Sequence, residues 1–194
     1  YCINITGNWT GCSSCHVGLG ARPETQVSQQ QLENIDCMIC HQQDYKRKKV
    51  DGIFIPDISQ MSISMVEAAR TVHKPTRATC LQCHAKGGGG DNYKRGDMTL
   101  AHAMTTDRNF DVHMAESGRN LTCQACHISE EHRIAGRGSD HRPTDLDREI
   151  SCTDCHSEMA GGTGYGSQAI DRHIDRVACQ TCHIPDFARK YATK

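Results

Sequence analysis

Eighteen residues of this chain fall in one repeated frame: two cysteines around a two-residue spacer, then a histidine. The copies are Cys12, Cys15 and His16; Cys37, Cys40 and His41; Cys80, Cys83 and His84; Cys123, Cys126 and His127; Cys152, Cys155 and His156; and Cys179, Cys182 and His183. They use twelve of the thirteen cysteines and six of the twelve histidines. C-x-x-C-H is the frame through which haem is attached covalently as haem c. Each thiol adds to one vinyl group of the macrocycle, and two spacer residues let one turn of chain reach both. The next residue then offers an imidazole to the iron as proximal ligand. Four-cysteine zinc sites and thioredoxin-like dithiols also contain C-x-x-C, but neither needs a histidine directly after the second cysteine. A histidine there in all six copies points to six covalently attached haems.

Six irons need a second axial ligand, and six histidines remain outside the motifs: His73, His102, His113, His132, His141 and His173. Histidine suits low-spin haem in electron transfer, and the axial ligands set the potential. An iron held by two protein imidazoles has no open position for a substrate, so it passes electrons rather than making bonds. His73, His113 and His173 each precede a motif closely, so one segment can ligate one haem and anchor the next. Methionine is the other ligand type and would raise the potential. Met114 stands beside His113, but the seven methionines otherwise read as gap-filling residues. Catalysis would instead require one five-coordinate haem with an acid or base nearby. Lys94, Arg95 and His141 are candidates for that role.

The elements that must position these groups are few. Only 37% of residues are hydrophobic and 5% aromatic, with a mean hydropathy of −0.61. A polypeptide of this composition struggles to bury a core of its own. With 194 residues and six motifs, about 32 residues serve each haem, so the apolar macrocycles become the interior. The expected fold is a multihaem cytochrome c: mostly irregular, with short α-helices, haem-cored, with little or no β structure. Residues 1–194 read as one hexahaem domain, unable to fold without haem. Ser64–Val72 is the best helix candidate, capped by serine and stopping before Pro75. Gln29–Ile35 is a second, leading into the second motif. Gly87–Gly90 and Gly161–Gly166 read as loops, the first also as backbone passing close to a haem face. Successive first cysteines are 25, 43, 43, 29 and 27 residues apart, without strict internal repetition.

The 22 basic and 23 acidic residues give a formal charge of −1, before two propionates per haem are counted. Many cations are therefore expected to pair with propionates. Lys46–Lys49 reads as a solvated or propionate-facing patch, and nothing suggests nucleic-acid binding. No apolar run approaches the ~20 residues of a membrane-spanning helix. Haem c is attached outside the prokaryotic cytoplasm, so an extracytoplasmic place is expected, cell surface ahead of periplasm. The sequence reads as a mature or trimmed form. N-x-T sequons at Asn4, Asn8 and Asn120 fit such a surface. Cys2, outside every motif, reads as a packing residue, a free thiol or a link to another chain.

Several stretches resemble the octahaem tetrathionate reductase family of multihaem cytochromes. They are Tyr1–Asn8 with CSSCHVG, IDCMICH, the GGGGD at Gly87–Asp91, KRGD at Lys94–Asp97, DVHM at Asp111–Met114, LTCQACH running on to Arg137, and VACQTCHIPDFAR at Val177–Arg189. The resemblance covers most of the chain in the same order. It implies a closely packed haem chain with little secondary structure, a role in electron transfer, and ligand-like contexts for His113, His132 and His173. The family's two further haems and its C-x-x-C-K catalytic motif are absent from this sequence. The resemblance also implies a histidine where this chain has Arg95, which passes that ligand role to His102 or a neighbouring subunit. Two functions follow as expectations. One is an electron conduit serving redox proteins or extracellular acceptors, in its sharper form a head-to-tail polymer, a cytochrome nanowire. The other is a reductase of sulfur or nitrogen oxyanions, of tetrathionate, nitrite or hydroxylamine type, with one open haem.

Overall fold

The computed structural model describes residues 15, 18–21, 24, 26–85, 91–92, 98–134, 150–156, 171–173 and 176–183. The chain divides into two compact units, Tyr1–Ala125 and Cys126–Lys194, a division that no shift of composition marks. Among the described residues regular structure is sparse in both, in keeping with the composition.

In the first unit the helices are short and begin at well-formed caps. Helix α1 (Gln29–Glu33) starts at Ser28, whose hydroxyl accepts from Gln31 N while the Gln31 side chain returns to the Ser28 N–H. Helix α2 (Met38–His41) carries the second motif. A hairpin follows: β1 (Arg47–Val50) pairs antiparallel with β2 (Ile53–Pro56) in the register Arg47 to Pro56 and Lys49 to Phe54. Its turn is Asp51-Gly52, with φ of 49° and 85°. Both residues occupy the left-handed region that such two-residue turns demand, and Asp-Gly is well suited to it. Helix α3 (Met65–Arg70) sits inside the expected Ser64–Val72 segment; Ser64 caps it by accepting from Glu67 N. Helix α4 (Arg77–His84) starts just beyond Pro75 with a Thr76/Thr79 capping box and carries the third motif. It packs against α2 and against a 3₁₀ turn at Leu100–Ala103. Among the described residues the fully buried apolar side chains are Ile39, Tyr45, Ala68, Leu81, Ala85 and Ala115. Half of these are alanines, so little apolar volume is enclosed.

In the second unit the described residues form a two-residue ribbon, β3 (Ser129–Glu130) with β4 (Arg133–Ile134). A 3₁₀ turn at Cys152–Asp154 and helix α5 (Gln180–His183) carry the last two motifs. The glycine runs at 87–90 and 161–166, the sequons at Asn4 and Asn8, and Cys2 lie outside the described residues.

Candidate functional site

The five-residue frame lies in a turn of α-helix at the second, third and sixth motifs and opens on a 3₁₀ turn at the fourth and fifth. In the second, fifth and sixth motifs the histidine N–H donates to the carbonyl of the first cysteine, at 3.0, 2.9 and 3.0 Å. The third motif lies within α4. Positions i and i+3 share a helix face, so one turn presents both thiols to one partner with the histidine beside them. The fourth motif opens on a 3₁₀ turn at Cys123–Ala125, and the boundary between the two units falls within it.

Tertiary structure brings thiols of different motifs together. Cys83 Sγ donates to Cys15 O at 3.6 Å, and the two thiols perturb each other. The Cys80 thiol is likewise perturbed by that of Cys123. In the second unit Cys152 lies against Cys179. The pairing with Cys15, then burial, pushes the Cys83 thiol up; the pairing with Cys123, then burial, does so for Cys80. Burial is the leading cause at Cys40 and Cys152. These sulfurs are thus held as neutral thiols. Arg77 and Gln124 reinforce the third–fourth pairing. Arg77 donates from Nε and Nη2 to Leu121 O at 3.0 and 2.6 Å and from Nη2 to Asn120 Oδ1 at 2.9 Å. Gln124 Nε2 donates to Pro75 O. Cys12, His16 and His141 lie outside the described residues, as do Lys94 and Arg95.

Two motif-linked histidines are tied to each other. His41 Nδ1 donates to His73 O at 2.8 Å, and His73 N donates to His41 O at 2.9 Å. The bond from Nδ1 fixes the His41 tautomer and leaves Nε2 as the ligating nitrogen. His73 Nδ1 donates to Lys74 O at 2.7 Å, and its Nε2 accepts a long 3.3 Å bond from Gln43 N. His113 and His173 are exposed, and both anchor the approach to a motif through their carbonyls. Leu121 N donates to His113 O at 2.8 Å, and Val177 N to His173 O at 2.7 Å. Gly118 is packed so tightly on the Val112 carbonyl that a Cβ there would collide with it, which keeps the turn around His113 closed. His132 is exposed with a φ of 66°. His102 is engaged at both ring nitrogens: Nδ1 donates to Thr99 O at 3.1 Å, and Nε2 lies 3.4 Å from Asp111 Oδ2. Its ring also packs on Phe110 at 4.6 Å. His84, His127, His156 and His183 are exposed; His84 ends α4, its carbonyl accepting from Met98 N at 2.8 Å.

The basic run is only partly solvated. Lys46, Lys48 and Lys49 are exposed or nearly so, but Arg47 is half-buried. Its guanidinium carbon stands 4.6 Å from the centroid of Phe54, and its Nη1 donates to Gly18 O at 3.4 Å. Its charge is felt by Asp36, Tyr45, Cys40 and Cys83. Asp36 Oδ1 accepts from Met38 N at 3.2 Å, while Oδ2 is buried without a hydrogen-bond partner. Burial pushes the Asp36 carboxyl up; burial and then Asp36 push the Tyr45 hydroxyl up. Arg47 is thus a candidate functional residue that a charge count misses. The Asp-Gly turn is the signal, because its register puts Arg47 and Phe54 on one face of the hairpin.

The donor set fits haem. Ile35, Val72, Val112, Ile128 and Val177, each beside a motif or a candidate ligand, are between 37% and 53% exposed, while the chain's own core is small. A flat apolar group fixed at the neighbouring cysteines would cover such side chains. Among the described residues no three Cys, His, Asp or Glu side chains converge as a metal cluster.

Comparison with known proteins points the same way. Residues 129–184 match the family of cytochrome c554 and c-prime. An uncharacterized protein of Archaeoglobus fulgidus is 33% identical over 148 residues, 68% of this chain and 48% of that one. Among solved structures, an octahaem cytochrome c from Shewanella oneidensis is similar with a TM-score of 0.72 and 32% identity, over 97% of this chain and 40% of the other. The chain therefore spans about half of the first relative's length and less of the second's.

Proposed function

We propose that the chain is a multihaem c-type cytochrome of electron transfer, a six-haem conduit working outside the cytoplasm, a reading its likeness to the octahaem cytochrome c and to the cytochrome c554 family supports. The observation that carries this reading is the meeting of anchors far apart in sequence: Cys15 with Cys83, and Cys80 with Cys123. Cofactors fixed at those thiols would be neighbours, and neighbouring redox centres are what a conduit needs.

Twelve cysteines would hold the six groups: Cys12 with Cys15, Cys37 with Cys40, Cys80 with Cys83, Cys123 with Cys126, Cys152 with Cys155, and Cys179 with Cys182. His16, His41, His84, His127, His156 and His183 would be the proximal ligands, with His73, His102, His113, His132, His141 and His173 as the candidate distal ones. When bound, each haem supplies an iron that takes up and gives back one electron. The chain's part is placement. The bond from His41 Nδ1 to His73 O orients one imidazole. The Arg77 and Gln124 bonds hold the lead-in of the fourth motif against the start of the third.

Among the described residues no helix is long and apolar enough to cross a membrane. The extracellular setting rests on the extracytoplasmic chemistry of haem c attachment and on the three sequons. In its sharper form the conduit is a subunit of a head-to-tail filament, in which a neighbouring copy supplies the ligand missing at Arg95.

Pyridine-haemochrome quantification combined with intact mass is expected to give six haems per chain. Electron paramagnetic resonance of the ferric protein is expected to show only low-spin iron. A high-spin signal that responds to nitrite or cyanide would favour the oxyanion-reductase reading instead. Electron microscopy at high concentration tests the filament, and a field of monodisperse particles would count against it.

A further inference from the structure

We infer that His102 is a positioning residue rather than an iron ligand: through the Asp111 carboxylate it holds the turn that presents His113. The inference rests on the haem ligation proposed above, with His113 as a distal ligand, and it takes His102 out of the distal set.

An imidazole binds iron through a lone pair on one ring nitrogen. Both nitrogens of His102 face oxygen acceptors instead, Nδ1 the Thr99 carbonyl at 3.1 Å and Nε2 the Asp111 Oδ2 at 3.4 Å. His73 provides the contrast. Its Nε2 faces a donor, the Gln43 N–H, so that nitrogen carries the lone pair that iron needs. The His102 side chain is only 12% exposed and its ring packs on Phe110, whereas His113, His132 and His173 are exposed. Iron could reach Nε2 of His102 only by displacing Asp111.

Asp111 is shared between two histidines. Its Oδ2 meets His102, while its Oδ1 accepts from His113 N at 2.8 Å and Met114 N at 2.9 Å. One carboxylate thus joins the His102 ring to the backbone of His113. The turn behind His102 is itself anchored. Thr99 caps the 3₁₀ turn at Leu100–Ala103, and Asp91 accepts from Leu100 N at 2.8 Å and from Thr99 Oγ1 at 3.0 Å. That turn packs on α4, which carries the third motif. On its other side His113 accepts from Leu121 N at 2.8 Å, in the lead-in to the fourth motif. Groups that fix a ligand's position govern how firmly it stays on its metal. Five histidines outside the motifs then remain for six irons, so one iron draws its sixth ligand from another source.

Electron paramagnetic resonance of the ferric holoprotein, with spin counted per haem, tests this. His113→Ala is expected to convert about one iron in six to high spin. His102→Gln, whose amide N–H can face Asp111 but which is a poor ligand for haem iron, is expected to match the parent. His102→Ala leaves Asp111 without its partner and is expected to convert part of one iron. The double variant is expected to convert no more than His113→Ala alone, because both changes act on the same iron. One additional high-spin iron in His102→Gln would make His102 a ligand and overturn the inference, as would two converted irons in the double variant. A His102→Ala protein indistinguishable from the parent would remove the positioning role. His113→Ala that stays wholly low-spin would remove the ligand being positioned, and the inference with it. If His102→Ala does not mature, His102→Leu is measured in its place against the same outcomes. Haem content is determined separately on every variant. A parent with fewer than six haems refutes the six-haem reading, while the comparison of variants still decides the role of His102.

Discussion

Asp57 shows how a single side chain is held by its neighbours here. Ser59 Oγ donates to its Oδ1 at 2.7 Å, and Lys48 Nζ lies 3.4 Å away. The Ser59 hydroxyl, ahead of the opposing partial desolvation and of Lys48, keeps this carboxyl below the usual aspartate range. A carboxyl lowered in the folded state stabilises the fold at pH above its unfolded value, about 3.9, and loses that contribution as pH falls through the lower folded value. Asp57→Asn is therefore expected to lower the melting temperature slightly at pH 7. The gap between the two proteins should close in the acid range, as measured by calorimetry from pH 7 to pH 2. An exposed ion pair alone contributes little, so a gap that vanished in high salt at neutral pH would assign the effect to Lys48 rather than Ser59. The motif residues were legible for a comparable local reason: thioether formation and proximal ligation need only five consecutive positions. The half-buried setting of Arg47 was not, because it depends on Phe54, which stands seven residues away and comes near only through the hairpin turn.

At the level of elements, short helices are held by side-chain clamps rather than by broad apolar faces. Gln42, directly after the second motif, is buried. Its Nε2 donates to Ala68 O at 3.1 Å, Thr71 O at 3.3 Å and Thr71 Oγ1 at 2.9 Å, and its Oε1 accepts from Asp44 N at 3.1 Å. That one amide fastens α2 to the C-terminal end of α3. Gln42→Ala leaves buried carbonyls without a donor and is expected to cost on the order of 1–3 kcal/mol, read as a lower urea midpoint. Ser64→Ala, which removes only the α3 cap, is expected to cost about 1 kcal/mol in the same assay. Both helices flagged by sequence, at 29–35 and 64–72, exist in slightly shorter form, because capping residues and helix formers act within one or two turns. The hairpin was not anticipated from its basic residues, although Asp51-Gly52 announces it.

For the whole molecule, the small core sets the dependence on cofactor. Among the described residues three of the six buried apolar side chains are alanines, and large side chains such as Val66, Val72 and Met104 stay exposed at 62%, 53% and 87%. Chain produced in a host that does not attach haem is expected to show no cooperative thermal transition by circular dichroism. The haem-loaded protein is expected to melt sharply. A sharp transition in the haem-free chain would mean that the polypeptide supplies its own core. The similarity to the octahaem cytochrome c covers 97% of this chain but 40% of the other, so it speaks to the packing of the shared portion.

By itself the sequence determined the covalent chemistry, the number of attachment frames, the supply of candidate axial histidines and the lack of apolar mass that makes haem the interior. All of these are set by identity and spacing over a few residues or by composition. Only the tertiary structure decided which thiols are neighbours, that His41 leans on the His73 carbonyl, that both ring nitrogens of His102 are engaged, and that one arginine of a basic run turns inward. Apart from the local bond of His102 to Thr99, those facts depend on contacts between residues 7 to 68 positions apart, made when the chain closes on itself, and no five-residue frame encodes them.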